Sequence, residues 1–263
     1  MNFLLRNIVV LFHAETINMA ELQKEWFDTW FDTPYYHILY SNRNENEAED
    51  FLNKLLIYMA VPKNAKILDL PCGKGRHSIF LADKGLNVTG ADLSVASIEL
   101  AKTHEHKNLS FIVHDLRKPA WNEEFDYVLN LFTSFGYFQT EAEDKAAFTT
   151  LSRALKKEGK LVIDFLNVTR AVNRLKEEET KNIQGIEFHL KRYLLDGYIH
   201  KEIRFVADNT PFFFTEKVKA LTLDDFKVFF TFAGLELTDV FGNYQLQEYD
   251  AANSERLIMI AKK

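Results

Sequence analysis

Asp69 and Asp92 stand 23 positions apart, each closing a short apolar run, with Gly73 and Gly75 between them. The segment 66–78 reads KILDLPCGKGRHS. A strand rich in Ile and Leu ends in the first acid, a tight turn carries the two glycines, and an apolar helix pattern begins. A second strand, Asn87–Ala91, runs into the second acid. This layout describes a nucleotide-binding α/β unit whose ligand lies across the tips of parallel strands. The dinucleotide version needs G-x-G-x-x-G facing a pyrophosphate. Here the three positions hold Pro71, Gly73 and Arg76. An acid directly before the loop repels phosphate and attracts a cationic amino group.

A ligand with a ribose at one end and an amino acid at the other fits that pattern, and S-adenosylmethionine is such a ligand. From Lys66 to about Asp164 the chain resembles the core of the class I S-adenosylmethionine-dependent methyltransferases. The family's acid followed by G-x-G-x-G reads Asp69-Leu70-Pro71-Cys72-Gly73-Lys74-Gly75, with Pro71 replacing the first glycine. Proline holds φ near −65°, so that position departs from the family pattern. The wording Cys-Gly-x-Gly-Arg-His, and Thr133-Ser134-Phe135-Gly136-Tyr137-Phe138 after the fourth strand, resemble a small-molecule branch of the family.

The resemblance implies roles for particular residues. Asp69 would hold the cofactor's ammonium group, directly or through water, or else cap the adjacent helix or loop. Gly73 and Gly75, with Pro71, Cys72 and Arg76, would form the loop against the methionine part. Asp92 would accept both ribose hydroxyls, with Leu93 beside it. Asp115 and Leu116 would meet the adenine, and Leu131 would line the pocket. Acceptor-side candidates are Tyr36, Tyr40, Arg43, Ser134, Tyr137 and Phe138. For the tyrosines, simple packing is the competing reading, and for Arg43 a plain surface charge. His77 opens a helix beside the loop, and we read it as a helix-opening polar residue rather than a base. Cys72 reads as structural. No spacing of His104, His106 and His114 suggests a metal site.

Methyl transfer from a sulfonium is an in-line displacement whose leaving group departs as a neutral thioether. The protein must supply alignment and close approach, and for an oxygen or nitrogen acceptor also a base. Such chemistry leaves a clear cofactor pattern and a faint catalytic one, and the sequence identifies no base. The reading is therefore an enzyme methylating O or N of a small molecule, releasing S-adenosylhomocysteine. Two alternatives stand beside it: a cofactor-binding module without turnover, and an RNA-modifying enzyme of the same fold. The Asn/Asp-Pro-Pro-Tyr pattern of enzymes that methylate DNA adenine or glutamine is absent, since the segment reads Asn130-Leu131-Phe132-Thr133.

Composition sets the frame. A chain of 263 residues holds one α/β domain with an insertion. Its 23 Phe allow a large core, and its formal charge of −6 argues against nucleic acid as acceptor. One cysteine excludes an intrachain disulfide and fits a reducing, cytoplasmic setting. The apolar stretch from Phe3 to Phe12, interrupted by Arg6 and Asn7, is too short to span a bilayer. We expect residues 1–18 to be an extension outside the core, 19–62 a helical lid, and 63–263 the catalytic domain.

The elements that must position these residues follow from periodicity. A helical stripe covers Glu21–Phe31, Pro34 breaks it, and a second helix runs from Asn46 to Met59. Strands at 66–70, 87–91, 109–113, 126–131 and 160–165 alternate with helices, which means a parallel sheet covered on both faces. Ser94 caps one helix, and Thr140 with Glu143 makes a capping box for another ending at Lys156. The charged run Lys176–Lys181 reads as a solvated helix end. Asp196-Gly197 marks a hairpin between two later strands, so 183–221 reads as an antiparallel insertion after strand five. The family resemblance implies a Rossmann-like sheet of seven strands, mostly parallel with the last antiparallel. The insertion, rich in Phe and Tyr, would roof the acceptor pocket or pair subunits in a homodimer; a monomer fits equally.

Overall fold

The computed structural model describes residues 26–41 and 45–263. Residues 1–18, most of the first expected helix and Arg43 lie outside them. Three helices open the described chain: α1 (Trp26–Trp30), α2 (Pro34–Leu39) and α3 (Glu45–Tyr58). Strands and helices then alternate: β1 (Lys66–Asp69), α4 (Arg76–Asp83), β2 (Asn87–Asp92), α5 (Val95–Lys102), β3 (Leu109–Val113), β4 (Phe125–Asn130), α6 (Glu141–Ala154), β5 (Leu155–Leu166) and α7 (Val168–Asn173). The strands β6 (Glu178–Ile183), β7 (Ile186–Leu195), β8 (Tyr198–Ala207) and β9 (Thr210–Lys219) come next, followed by α8 (Leu223–Phe232), β10 (Glu236–Phe241) and β11 (Arg256–Lys262).

The main sheet has seven strands in the order β10-β11-β5-β4-β1-β2-β3. Strand β11 runs antiparallel to both its neighbours, and the pairs among β1 to β5 are parallel. Both faces are covered. Phe51, Leu55, Leu81 and Ile98 from α3, α4 and α5 join one buried cluster. Phe148, Phe226 and Phe229 from α6 and α8 join the other. Central strands therefore carry nearly continuous apolar runs, as in Leu161-Val162-Ile163 of β5, each residue fully buried. The chain order reverses at β1 and β4, whose connections leave on opposite faces, and the crevice beyond their tips is where open α/β sheets bind ligands.

Local signals account for most boundaries. Thr140 and Glu143 form the capping box of α6, Thr222 and Asp225 that of α8, and the Ser94 hydroxyl accepts the Ser97 amide at α5. Asp196 and Gly197 both have positive φ, 50° and 76°, as a two-residue hairpin turn requires.

Three expectations are corrected. Pro34 does not simply break a helix; it opens α2 at the first position behind the Thr33 cap, where its missing N–H costs nothing. Helix α6 ends at Ala154, and β5 begins at once with Leu155 rather than at Lys160. The charged run is an edge strand, not a helix end: β6 pairs with β7 through a turn at Gln184-Gly185, where φ is 51° and 82°. Charge suits that position, because it discourages further strands from adding to an open edge.

The second sheet, β6-β7-β8-β9, is wholly antiparallel. Period-two alternation turns Phe188, Leu190, Ile203, Phe205, Phe212 and Phe214 to one face. That face packs on α1 and α2, where Trp30 is fully buried with its ring 4.5 Å from Phe214, and Tyr35 sits 4.8 Å from both Phe205 and Phe212. The sheet is tied to the main domain by the Lys219 amide donating to the Gly136 carbonyl (2.7 Å) and by the Lys219–Asp144 ion pair.

Candidate functional site

A cavity of about 870 Å³ opens beyond the tips of β1, β2, β3 and β4, roofed by α1, α2 and β9. Small-molecule sites occupy roughly 300–1,000 Å³, and this one lies in the upper part of that range.

Its floor is the loop after β1. Pro71, Cys72, Gly73 and Arg76 line it. Gly73 has φ +55°, and a Cβ built on it would meet no atom within 4 Å: the space above it is open cavity. Asp92 ends β2 with Leu93 beside it, both on the wall. Its Oδ2 accepts the Gly73 amide (2.7 Å) and its Oδ1 the Ser94 amide (2.9 Å). Burial raises its pKa, and these amides oppose the rise. A carboxylate has about four acceptor positions, so capacity remains toward the cavity.

Asp115, Leu116 and Leu131 complete the expected wall. Arg117 grips Asp115 in a fork, Nε to Oδ1 and Nη2 to Oδ2 both at 3.0 Å, and reaches Glu143 at 2.8 Å. Burial pushes the Asp115 carboxyl up, but these bonds and the Arg117 charge outweigh it, and the net pKa is lowered. His114, next to it, lines the cavity with a buried Nε2 that has no hydrogen-bond partner among the described residues. Burial lowers its pKa, keeping the ring neutral.

Two expected cofactor residues do not reach the wall. Asp69 is 1 % exposed and accepts the Ser78 hydroxyl at 2.6 Å, so it braces α4 from beneath. Burial raises its pKa to about 7, with the Ser78 bond pulling the other way. Gly75 caps α4 in the left-handed region (φ +81°), and an added Cβ would lie 2.5 Å from the Phe111 ring. It is needed for close packing rather than for approach to a ligand. Cys72 lines the cavity, and burial pushes its thiol pKa up, leaving it inert.

On the acceptor side Tyr36, Tyr40, Ser134, Tyr137 and Phe138 all line the cavity, together with Trp26, Phe27 and Phe31. The Ser134 hydroxyl donates to the Leu131 carbonyl (2.7 Å) and the Tyr137 hydroxyl to the Thr133 carbonyl, so both shape their own turn. That turn contains Phe132 and Thr133 at φ 58° and 61°, a left-handed corner that non-glycine residues adopt only when the surroundings impose it. Asp164, fully buried in β5, imposes it: Oδ2 accepts the Phe132 amide (2.8 Å), the backbone carbonyl accepts the Thr133 amide (2.9 Å), and Arg256 Nε donates to Oδ1 (2.7 Å). Arg256 Nη2 also donates to Thr133 Oγ1 at 2.9 Å. The corner presents the Phe132 ring to His77, stacked at 4.5 Å and 11°, whose Nε2 accepts Arg76 Nε–H (2.9 Å).

Sequence reasoning missed Asp164, Arg256, Glu216, Lys201, Asp32 and His37. A signal existed for some. Asp164 interrupts Leu161-Val162-Ile163, and Glu216 and Lys201 occupy positions in phase with Phe214 and Ile203 on an apolar face. Asp32 carries no such pattern; it reaches the site because the lid folds over β2, where it accepts the Ser94 hydroxyl.

The cofactor implied by the resemblance fits these residues. Gly73 leaves a cradle that any Cβ would fill, Asp92 offers acceptors at the strand tip, and the orphaned His114 Nε2 awaits a partner. Among the described residues no group of His, Cys, Asp and Glu is arranged to hold a metal ion.

Comparison with known proteins agrees with this geometry. A family model for the methyltransferase domain matches residues 67–159. A putative methyltransferase of Bacillus subtilis (strain 168) is 36 % identical over 111 residues, 41 % of this chain and 45 % of that one. A ubiquinone biosynthesis O-methyltransferase of Pelagibacter ubique (strain HTCC1062) is 30 % identical over 172 residues, 59 % of this chain and 67 % of that one. A putative methyltransferase of Geobacillus sp. (strain WCH70) is 24 % identical over 91 % of this chain and 99 % of its own. Among solved structures, an S-adenosylmethionine-dependent methyltransferase from Clostridium acetobutylicum superposes with TM-score 0.74 at 18 % identity, covering 87 % of this chain and 95 % of that one. The S-adenosylmethionine-bound amino pentose methyltransferase CalS10 from Micromonospora echinaspora gives 0.69 at 21 % identity, covering 88 % and 97 %. At such identities these two show the shared fold. The chain belongs to the class I S-adenosylmethionine-dependent methyltransferase family.

Proposed function

We propose that this methyltransferase acts on O or N of a small molecule and releases S-adenosylhomocysteine. The observation that carries the reading is the lining of the cavity, polar at the strand tips and aromatic under the lid. One half is walled by Gly73, Asp92 and Asp115 at the strand tips, and the other by the aromatic rings of α1, α2 and the turn after β4. A cavity of about 870 Å³ lined by α1, α2 and β9 suits a compact acceptor. The relative from Pelagibacter ubique is by its title an O-methyltransferase of ubiquinone biosynthesis, in keeping with this reading.

S-adenosylmethionine supplies a methyl group on a positively charged sulfur that departs neutral, so no acid is required. The chain's own residues bind and align. Asp92 would hold the ribose hydroxyls, and Gly73 would admit the methionine backbone. Asp69 would support this indirectly, by fixing α4 and the loop through Ser78. The corner at Phe132 and Thr133, locked by Asp164 and Arg256, would set the acceptor's distance, and a sub-ångström error there costs rate steeply. The aromatic roof would exclude water.

Incubation with methyl-tritiated S-adenosylmethionine and separate small-molecule, RNA and protein fractions of a cell extract tests the reading. Label in the small-molecule fraction, on O or N, is expected. Label confined to RNA or protein would refute it.

A further inference from the structure

The inward face of the second sheet carries one charged row among its aromatic rows. Strand pairing places Arg192, Lys201 and Glu216 directly side by side on β7, β8 and β9. Arg192 is answered by Glu179 at 2.8 Å. Glu216 and Lys201 are nearly buried, 14 % and 13 % exposed, and face α1 and α2. Glu216 Oε1 accepts Trp30 Nε1–H (2.8 Å), the Tyr40 hydroxyl lies 2.7 Å from both carboxylate oxygens, and Lys201 Nζ lies 2.5 Å from that hydroxyl and 3.5 Å from Oε2. Glu216 and Tyr40 are on the cavity wall; Lys201 and Trp30 stand behind them. Among the described residues three donors, Trp30, Tyr40 and Lys201, share a carboxylate with about four acceptor positions, which leaves about one for a ligand.

We propose that Glu216, held by Tyr40, recognises an amine on the methyl acceptor and takes its proton; this rests on the small-molecule reading above. The surroundings favour a cation over a neutral hydroxyl. Tyr36, Phe31 and Tyr137 line the cavity, and aromatic rings attract an ammonium group; the Tyr40 ring already carries the Lys201 ammonium 4.5 Å from its centroid. Asp32, on the lid, accepts the Ser94 hydroxyl, and Lys74 acts on His37 beside it, so both belong to the Asp92 side of the cavity and Glu216 to the ring-lined side. His37 is held toward its neutral form by burial and by Lys74, with Asp32 opposing. Burial likewise lowers the Lys201 pKa against the pull of Glu216. A charge-assisted bond from ammonium to carboxylate is about twice as strong as a neutral one. At neutral pH the amine's lone pair is occupied by a proton. Transfer of that proton from nitrogen to Glu216 Oε2 converts R–NH3+ and carboxylate into R–NH2 and a carboxylic acid, freeing the lone pair; the acid then returns the proton to water. Glu216 is thus the group that takes the proton, and Tyr40 holds it in place.

The test uses the full chain saturated with S-adenosylhomocysteine and two isosteric probes, cyclohexylamine and cyclohexanol, titrated calorimetrically. The amine is expected to bind at least about tenfold tighter than the alcohol. Glu216→Gln is expected to lose at least about tenfold for the amine while its affinities for the alcohol and for S-adenosylhomocysteine stay unchanged. Equal binding of the two probes, no binding of the amine, or an unchanged amine affinity in Glu216→Gln overturns the proposal. If Glu216→Gln fails to fold, the wild-type amine-to-alcohol ratio decides alone, and a ratio near one overturns it. Failure of the wild-type protein to bind S-adenosylhomocysteine would instead strike the cofactor reading beneath it.

Discussion

Two glycines two positions apart in the same loop should fail in different ways when given a methyl group. At Gly73 (φ +55°) an alanine Cβ meets nothing within 4 Å, so folding suffers only the left-handed penalty of about 1–2 kcal/mol. The methyl group would stand in the cavity where the cofactor must approach the backbone. Gly73→Ala should therefore weaken S-adenosylhomocysteine binding at least about tenfold, 1.4 kcal/mol. At Gly75 (φ +81°) the Cβ would lie 2.5 Å from two carbons of Phe111 and 3.2 Å from the Ala101 Cβ, all in the buried cluster under α4 and α5. Overpacking of that kind costs about 1–3 kcal/mol in addition to the left-handed penalty, so Gly75→Ala should lose about 2–5 kcal/mol. Urea denaturation of the ligand-free proteins gives the stabilities, and calorimetric titration of the folded variants gives the affinities. The assignment of Gly73 to the ligand and Gly75 to the core is refuted if Gly73→Ala binds within about twofold of wild type, or if Gly75→Ala is as stable as Gly73→Ala.

Asp92→Ala removes the acceptor of the Gly73 and Ser94 amides and the proposed ribose contact; S-adenosylhomocysteine affinity should fall by about 2–3 kcal/mol, roughly 30- to 150-fold by calorimetry. Asp164→Ala strands Arg256 in a buried site and should cost about 3–5 kcal/mol in urea denaturation. Adding Arg256→Met should cost less than the sum of the single changes by more than about 1 kcal/mol. Asp69 has a folded pKa of about 7 against 3.8 in the unfolded chain, so the native state holds the extra proton between those values and stability falls as pH rises through that window. Asp69→Asn should accordingly improve relative to wild type from pH 5 to pH 8, by about 2–3 kcal/mol in ligand-free urea melts; a pH-independent difference would contradict the burial argument.

The main sheet was legible because its strands are short apolar runs that end in informative residues. Asp69, Asp92 and the Thr140/Glu143 box each mark a boundary by local chemistry, and local chemistry is what a sequence displays. The loop was half legible: two glycines announced a tight turn, but which one faces ligand depends on Phe111, 36 positions away in β3. Asp69 was half legible for the same reason. Its position before the loop matches a ligand contact, yet its side chain turns under α4 to Ser78. The acceptor side was least legible because it is built from partners far apart in the chain. Glu216 meets Trp30 and Tyr40 only after the second sheet folds back onto the lid, and Asp164 meets Arg256 only across β5 and β11. The charged run at 176–181 shows the remaining limit, since an edge strand and a solvated helix end have the same composition.

A crystal structure of the protein with S-adenosylhomocysteine tests the central claim most directly. The account predicts the ribose hydroxyls within hydrogen-bond distance of the Asp92 carboxylate, the amino-acid part against the Gly73 backbone, and the sulfur facing the chamber between Tyr137 and Glu216. A ligand seated elsewhere, or one whose sulfur faces away from that chamber, would contradict it.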